Sequence, residues 1–369
     1  MTKLKLAVIG AGHLGRIHAR LLSQMDDVEL LGIVDPVPAA RDSAAAECHA
    51  PAYADHSELA GRIDAAVVAT PTRHHHAVAL DLLRHDVPLL VEKPLCDNLA
   101  QADELVETAR LRGVVLQVGH IERFNPAFLA AQARVGQPRY VEAVRASGYT
   151  GRSVDIGVVF DLMIHDIDLL LALVAAPVTR VSALGLAVMG RHEDVAQARV
   201  EFADGAVANL SASRLSFNPA PKRQMQIWSE QGFVAVDFGN RSAAVVSPNE
   251  AVLRREIDFE ALDSAGRTRV KDRLFSDVLR VEALEIPATN ALADELRDFV
   301  DAVRLHREPR VTGQQGRDAL ALADAILESI AEHSWQGAAA GPIGPLARPS
   351  QNTLRGPHWH AVAQPRPAA

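Results

Sequence analysis

Three groups of residues in this 369-residue chain have types and spacings that can do chemistry. The first is Gly10, Gly12 and Gly15 in GAGHLGRIHA, a G-x-G-x-x-G pattern directly behind the apolar run LKLAVI. Gly10 suits a tight turn, Gly12 admits a pyrophosphate, and Gly15 lets a following helix pack close to a strand. A helix amino terminus behind such a loop offers unpaired N–H groups and the positive end of its dipole to phosphate. Asp35 ends the next apolar run, twenty residues beyond Gly15, where a carboxylate accepts from a ribose 2′-hydroxyl. A carboxylate there repels the extra phosphate of NADP, so NAD is favoured, with Arg41 near enough in sequence to keep NADP as the less favoured choice. The cofactor contacts read from this stretch are Gly10, Gly12, His13, Leu14, Gly15 and Asp35. A glycine turn with no ligand is the bland alternative.

The second group is Glu92-Lys93-Pro94, which directly follows the apolar run PLLV. Counting PLLV as the fourth strand in a 3-2-1-4-5 order puts Lys93 at the switch point, beside the nicotinamide. Pro94 restricts the conformation of Lys93. A surface Lys–Glu pair at a strand end is the competing account. The third group lies in GVVFDLMIHDIDLLLALV, where Asp161, His165 and Asp168 fall at i, i+4 and i+7. That helix is apolar nearly all round and should be buried. Burying a polar group without a partner costs about 2–7 kcal/mol, so three on one face point to a wet cleft, a ligand or an internal hydrogen-bonded network. Asp166 points elsewhere and is the weaker candidate. Histidine is the side chain best suited to exchange a proton near neutral pH.

The elements that must position these groups follow from periodicity. Short apolar runs at 4–9, 29–34, 65–70, 88–91 and 115–119 read as strands, with helices near 13–24, 37–48, 73–85 and 98–112. Strands that are continuous Val/Ile/Leu runs and alternate with helices predict a doubly wound parallel sheet of Rossmann type. Beyond residue 120 the pattern changes to one apolar helix (156–174) and long alternating segments with Asp-Gly and Gln-Gly turns, a mostly antiparallel sheet. Two helices follow, near 287–306 and 313–334. The domains predicted are 1–121 for the cofactor, 122–335 for substrate and oligomerisation, and a disordered Pro/Gly/Ala tail over 336–369.

Composition excludes several classes. A formal net charge of -8 argues against a nucleic-acid binder. Two cysteines imply no disulfide framework. The apolar amino-terminal run is too short for a signal peptide, and no stretch approaches the roughly 20 apolar residues that span a bilayer. A cytoplasmic protein without a membrane segment is expected. No metal is assigned, because a nicotinamide enzyme with a lysine at its cleft needs none.

Taken together, GAGHLGRIHA, VVATPTRHHHAVAL, VEKPL, VGHIERFNPA and FDLMIHDIDLL resemble the Gfo/Idh/MocA family of nicotinamide-dependent oxidoreductases over residues 4–335. The resemblance implies an amino-terminal Rossmann domain and a carboxyl-terminal α/β domain. The open sheet of the latter makes homodimers or homotetramers. It implies that Lys93, Asp161 and His165 are catalytic, with Asp161 and His165 also holding substrate. Thr70, Pro71, His75, Glu92 and Lys93 would border the cofactor. The family's Gly-Gly-Gly entry to the polar helix is Gly157-Val158-Val159 here. VGHIERFNPA and DLMIHDIDLL are most similar to members that oxidise nucleotide-linked sugars, notably the 3-hydroxyl of UDP-N-acetylglucosamine on the way to lipid A amino sugars. Arg123, Arg145 and Arg152 are candidates for a substrate diphosphate. The rival readings are a dehydrogenase of inositol or another free polyol, a biliverdin-reductase-like imine or enone reductase, and a non-catalytic NAD-binding regulator.

Overall fold

The structure, a computed structural model, describes residues 2–151, 156–217, 220–335 and 340–344. They form two compact units. The first comprises the chain up to Arg134 with Arg241–Ala243 and Ala283–Leu322. The second comprises Val135–Asn240, Ala244–Glu282 and the chain from Ala323.

In the first unit, strands and helices alternate as β1 (Leu4–Ile9), α1 (His13–Ser23), β2 (Val28–Val34), α2 (Pro38–Cys48), β3 (Ala52–Tyr53), β4 (Ala65–Val68), α3 (His75–Arg84), β5 (Leu89–Glu92), α4 (Leu99–Arg112), β6 (Leu116–Gly119) and α5 (Pro126–Gln132). The strands make one parallel sheet in the order β3-β2-β1-β4-β5-β6. Every residue of β4, β5 and β6 is buried, as expected of a parallel sheet covered on both faces. Helix α1 buries Gly15, His18, Ala19 and Leu22, the i, i+3, i+4, i+7 stripe of an amphipathic helix. The side chain of Asn98 caps α4 by accepting from Gln101 N, and Gly113 ends it at φ 66.

The strand order corrects one expectation. The two-residue β3 is too short to leave a periodic signal, so the run 65–70 counts as third and 88–91 as fourth in the sequence. The neighbour of β1 is β4, and the strand leading to Lys93 lies one place further along the sheet.

The second unit carries an eight-stranded sheet of β7 (Tyr140–Ala146), β8 (Val178–Leu186), β9 (Val195–Phe202), β10 (Val207–Ser213), β11 (Lys222–Ser229), β12 (Gly232–Asp237), β13 (Ser242–Pro248) and β14 (Leu279–Ala283). Its order is β14-β13-β12-β11-β7-β10-β9-β8, and β7 with β10 is a parallel pair in its middle. Strand β10 alternates buried and half-buried residues, the signature of a sheet with one covered face. The two predicted hairpins are present: β9 pairs antiparallel with β10 across Gly205 at φ 84, and β11 with β12 across Gly232 at φ 118. The predicted apolar helix is in two parts, a π-helical turn at Val159–Met163 and then α6 (Ile164–Leu173). Two short helices, α7 (Glu250–Leu253) and α8 (Ser264–Asp272), lie between β13 and β14.

The unit boundary differs from the one read at residue 121. Helix α9 (Ala291–Leu305) buries Leu296, Phe299 and Val300 in the same apolar cluster as Leu6, Val8 and Leu90. The last helix, α10 (Gly313–Glu332), begins in the first unit and ends in the second. Of the tail predicted to be disordered, residues 340–344 have partners. Ile343 bridges to Leu186, and Trp335 Nε1 donates to the Gly341 carbonyl at 3.1 Å. Residues 336–339 and 345–369 lie outside the described residues.

Candidate active site

The glycine loop is built as its spacing requires. Gly10 has φ 104, and a Cβ there would stand 2.6 Å from the Ala69 carbonyl oxygen. A Cβ on Gly15 would meet the Gly10 carbonyl oxygen at 1.9 Å, so the helix can approach the strand only without one. Gly12 is different: a Cβ there meets nothing within 4 Å. Protein packing therefore does not demand a glycine at 12, whereas close approach of a phosphate does. Gly12 also caps α1 without any side-chain hydrogen bond, and the first turn holds no acidic residue. Neither the cap residue nor an acid of the first turn thus competes for its first N–H groups, as suits a pyrophosphate site. His13 and Leu14, both exposed, open that helix.

Asp35 sits directly beyond β2. Its Oδ2 accepts from Ala11 N and its Oδ1 from Val37 N, both at 2.8 Å. The carboxylate so braces the glycine loop and keeps lone pairs for ribose hydroxyls. Arg41 is turned to Asp42 and to the Asp35 carbonyl, at 2.8 and 3.4 Å. The loop and the acid together fit a dinucleotide.

At the carboxyl ends of β4, β5 and β6 stand Thr70, Lys93 and His120. His75, expected to border the cofactor, is fully buried and bridges two carbonyls, with Nε2 2.7 Å from Thr70 O and Nδ1 3.0 Å from Pro94 O. It ties the Thr70-Pro71 turn to the turn behind Lys93. The Lys93–Pro94 peptide bond is cis. Glu92, also expected to contact cofactor, is 7% exposed. Its Oε1 lies 2.7 Å from His18 Nε2, and its Oε2 accepts from Lys93 N at 3.2 Å. Both oxygens thus have a partner inside the unit. Burial alone would raise the Glu92 carboxyl; the hydrogen bond and charge of His18 and the charge and amide of Lys93 outweigh it and hold it below the ordinary range. His120, with no hydrogen-bond partner at either ring nitrogen among the described residues, is pushed down to about 3, first by burial and then by the charges of Lys93 and Arg123. It stays neutral.

Asp161 and His165 belong to the second unit. Asp161 is in the π-helical turn, its amide donating to the Gly157 carbonyl at 3.0 Å, and His165 is the second residue of α6; both side chains are half-buried. Asp168 is buried. The sequence pattern had placed all three on one uniform α-helix, but the π turn takes in an extra residue per turn and shifts Asp161 relative to the α-helical face. Such turns recur at functional sites.

What holds this turn was not visible in the sequence. Glu193 Oε1 accepts from Val159 N at 3.2 Å, and its backbone carbonyl accepts from Val158 N at 3.0 Å. Gly157 makes room for that carboxyl, since a Cβ there would fall 1.8 Å from Glu193 Oε1. Arg214, bonded to Asp194 at 2.6 Å, donates to the Ile156 carbonyl at 2.9 Å. Burial pushes the Glu193 carboxyl up, against the lowering effect of its backbone donors, His192 and Arg214.

The arginines fare unevenly. Arg145 is buried and bidentate to Asp166, at 2.8 and 3.1 Å, with its guanidinium 5.7 Å from the Phe238 ring centre. That pair ties Arg145, a candidate for the substrate diphosphate, to α6. Arg123 is buried in the first unit and donates to the Arg310 carbonyl at 3.4 Å. Arg152 lies outside the described residues. Among the described residues, no helix is long and apolar enough to cross a membrane, and no group of three or more His, Cys, Asp or Glu side chains is arranged to hold a metal.

Comparison with known proteins shows the family. Residues 4–120 match the family model described as the GFO/IDH/MocA oxidoreductase family, NAD-binding Rossmann fold, and residues 128–235 match a GFO/IDH/MocA C-terminal domain. The UDP-N-acetylglucosamine 3-dehydrogenase of Acidithiobacillus ferrooxidans is 36% identical over 324 residues, covering 88% of this chain and 96% of that protein. A solved structure of that dehydrogenase superposes with a TM-score of 0.77 at 34% identity, covering 89% of this chain and 98% of the other. An inositol 2-dehydrogenase of Rhizobium meliloti is 26% identical over 350 residues, covering 89% of this chain and 97% of that enzyme.

Proposed function

We propose that this chain, which belongs to the Gfo/Idh/MocA family of NAD-binding oxidoreductases, oxidises the 3-hydroxyl of UDP-N-acetylglucosamine to a ketone. The observation that carries the substrate is the 36% identity, over nearly the whole chain, to a dehydrogenase of that nucleotide sugar. The bound nicotinamide supplies a hydride acceptor. The chain supplies the rest. His165 takes the hydroxyl proton, Asp161 orients the imidazole or holds the sugar, and the Lys93 ammonium stabilises the alkoxide as it forms. The glycine loop and the α1 amino terminus hold the pyrophosphate, and Asp35 holds the adenosine ribose. NAD is preferred over NADP because the Asp35 carboxylate opposes a 2′-phosphate.

A free polyol is the second reading, favoured by the likeness to inositol dehydrogenases. Purified protein, NAD and a panel of UDP-sugars, inositols and hexoses decide between them through the absorbance of reduced cofactor. Turnover confined to UDP-N-acetylglucosamine is expected. Turnover confined to inositols or hexoses overturns the nucleotide-sugar reading, and tight NAD binding with no turnover of any alcohol marks a regulator. Light scattering checks the homodimer or homotetramer implied by the family resemblance.

A further inference from the structure

His18 has no part in the chemistry above, yet it is fully buried on the stripe of α1 that faces the sheet. Its Nε2 lies 2.7 Å from Glu92 Oε1. Its Nδ1 is buried and has no hydrogen-bond partner among the described residues. Nε2 is the ring nitrogen that meets the carboxylate, so Nε2–H donates and the carboxylate accepts. The second carboxylate oxygen accepts from the Lys93 amide at 3.2 Å. Gly119, paired with Glu92 across β5 and β6, leaves this carboxylate its space: a Cβ on Gly119 would stand 3.0 Å from Oε2. Among the described residues, the charged or titratable groups that act on it are His18 from α1 and Lys93 at the end of β5, and it acts in turn on His120 beyond β6, which Arg123 also faces.

A carboxylate this deeply buried is tolerated only with strong donors and a nearby cation. Among the described residues His18 is the side-chain donor to it, and it comes from the helix that starts at the glycine loop. We propose that His18 is a positioning residue for Lys93: by holding Glu92 in place from α1, it fixes an anion beside the lysine and so keeps the ammonium protonated and aimed. The low-lying Glu92 carboxyl agrees with this. The inference rests on Lys93 acting as a cation in the dehydrogenase reading, and it explains why the strand-end acid is a glutamate that does not itself face outward.

The test reads Lys93 directly, without turnover. Acetic anhydride labels neutral amines, and mass spectrometry of the Lys93 peptide across a pH series gives the midpoint of its titration in the full-length protein. In Glu92→Gln the midpoint is expected to fall by about one to three pH units, because the opposing charge is gone. His18→Leu is expected to shift it in the same direction. His18→Gln, whose amide donates over a similar reach, should restore the wild-type midpoint, and adding His18→Leu to Glu92→Gln should change nothing further. The alkaline limb of kcat/KM should move to lower pH in step. An unchanged Lys93 midpoint in His18→Leu, with only a lower Tm or a higher KM for NAD, would make His18 a packing residue and overturn the proposal. Failure of the wild-type protein to reduce NAD with any alcohol would instead overturn the dehydrogenase reading, and the labelling result would stand apart from it.

Discussion

At the scale of single residues, the proposed division of labour predicts different kinetic signatures. Lys93→Ala removes a charge needed when the alkoxide forms, so kcat should fall about 10²–10⁴-fold. The dissociation constant for NAD, measured by calorimetry, should move only a few-fold. Equal losses in turnover and NAD affinity would place Lys93 among the binding groups instead. Which residues were legible here follows from how local their constraint is. Gly10 and Gly15 are demanded by their own backbone neighbourhood, and their spacing announced them. The Arg145–Asp166 pair is not legible, because the partners are 21 residues apart and nothing in either stretch records that they meet. His18 and Glu193 were overlooked for the same reason: each is an ordinary polar residue until the fold supplies its contact.

At the scale of elements, the entrance to α6 makes Gly157 and Glu193 one device. Gly157→Ala forces a methyl into the Glu193 carboxyl and displaces the π turn that carries Asp161. We expect a stability loss of about 1–3 kcal/mol by denaturant unfolding, with a larger fall in kcat than in NAD affinity. In a Glu193→Ala background the same change should cost less, since the clash is gone; additive costs would show the two residues to be independent. Glu193 also has a pH signature. Its folded-state carboxyl is raised by burial, so the native state holds the proton more tightly than the unfolded chain. Its contribution to stability is therefore fullest at low pH and is lost as pH rises from about 4.3 through the raised folded value. Glu193→Gln, which keeps an acceptor for Val159 N, should flatten that decline, and an unaltered stability–pH curve would refute the assignment. The apolar run of this helix was readable, but a π turn was not, because hydrophobic periodicity distinguishes helix from strand and not one helical pitch from its near neighbour.

At the scale of the whole molecule, alternation of apolar runs with helices was enough to give the doubly wound parallel sheet, and the Asp-Gly and Gln-Gly turns gave the antiparallel one. The division of the chain was harder, because an element's unit is set by what its apolar face meets and not by its place in the sequence. Helix α9 shows this. It follows the second sheet in the chain, yet Leu296, Phe299 and Val300 are fully buried in the cluster with Leu6, Val8 and Leu90. Phe299→Ala should therefore destabilise the cofactor unit, by about 3–5 kcal/mol for a fully buried phenylalanine. NAD binding by the variant should be lost on mild heating before the wild type loses it. A fragment ending at Arg134 makes the sharper comparison: it keeps every strand of the parallel sheet but leaves the α9 side of that cluster open to water. Circular dichroism should show it failing to unfold cooperatively, and calorimetry should show no NAD binding. Cooperative unfolding with wild-type NAD affinity would mean that the first 134 residues close their own core, and that α9 merely leans on it.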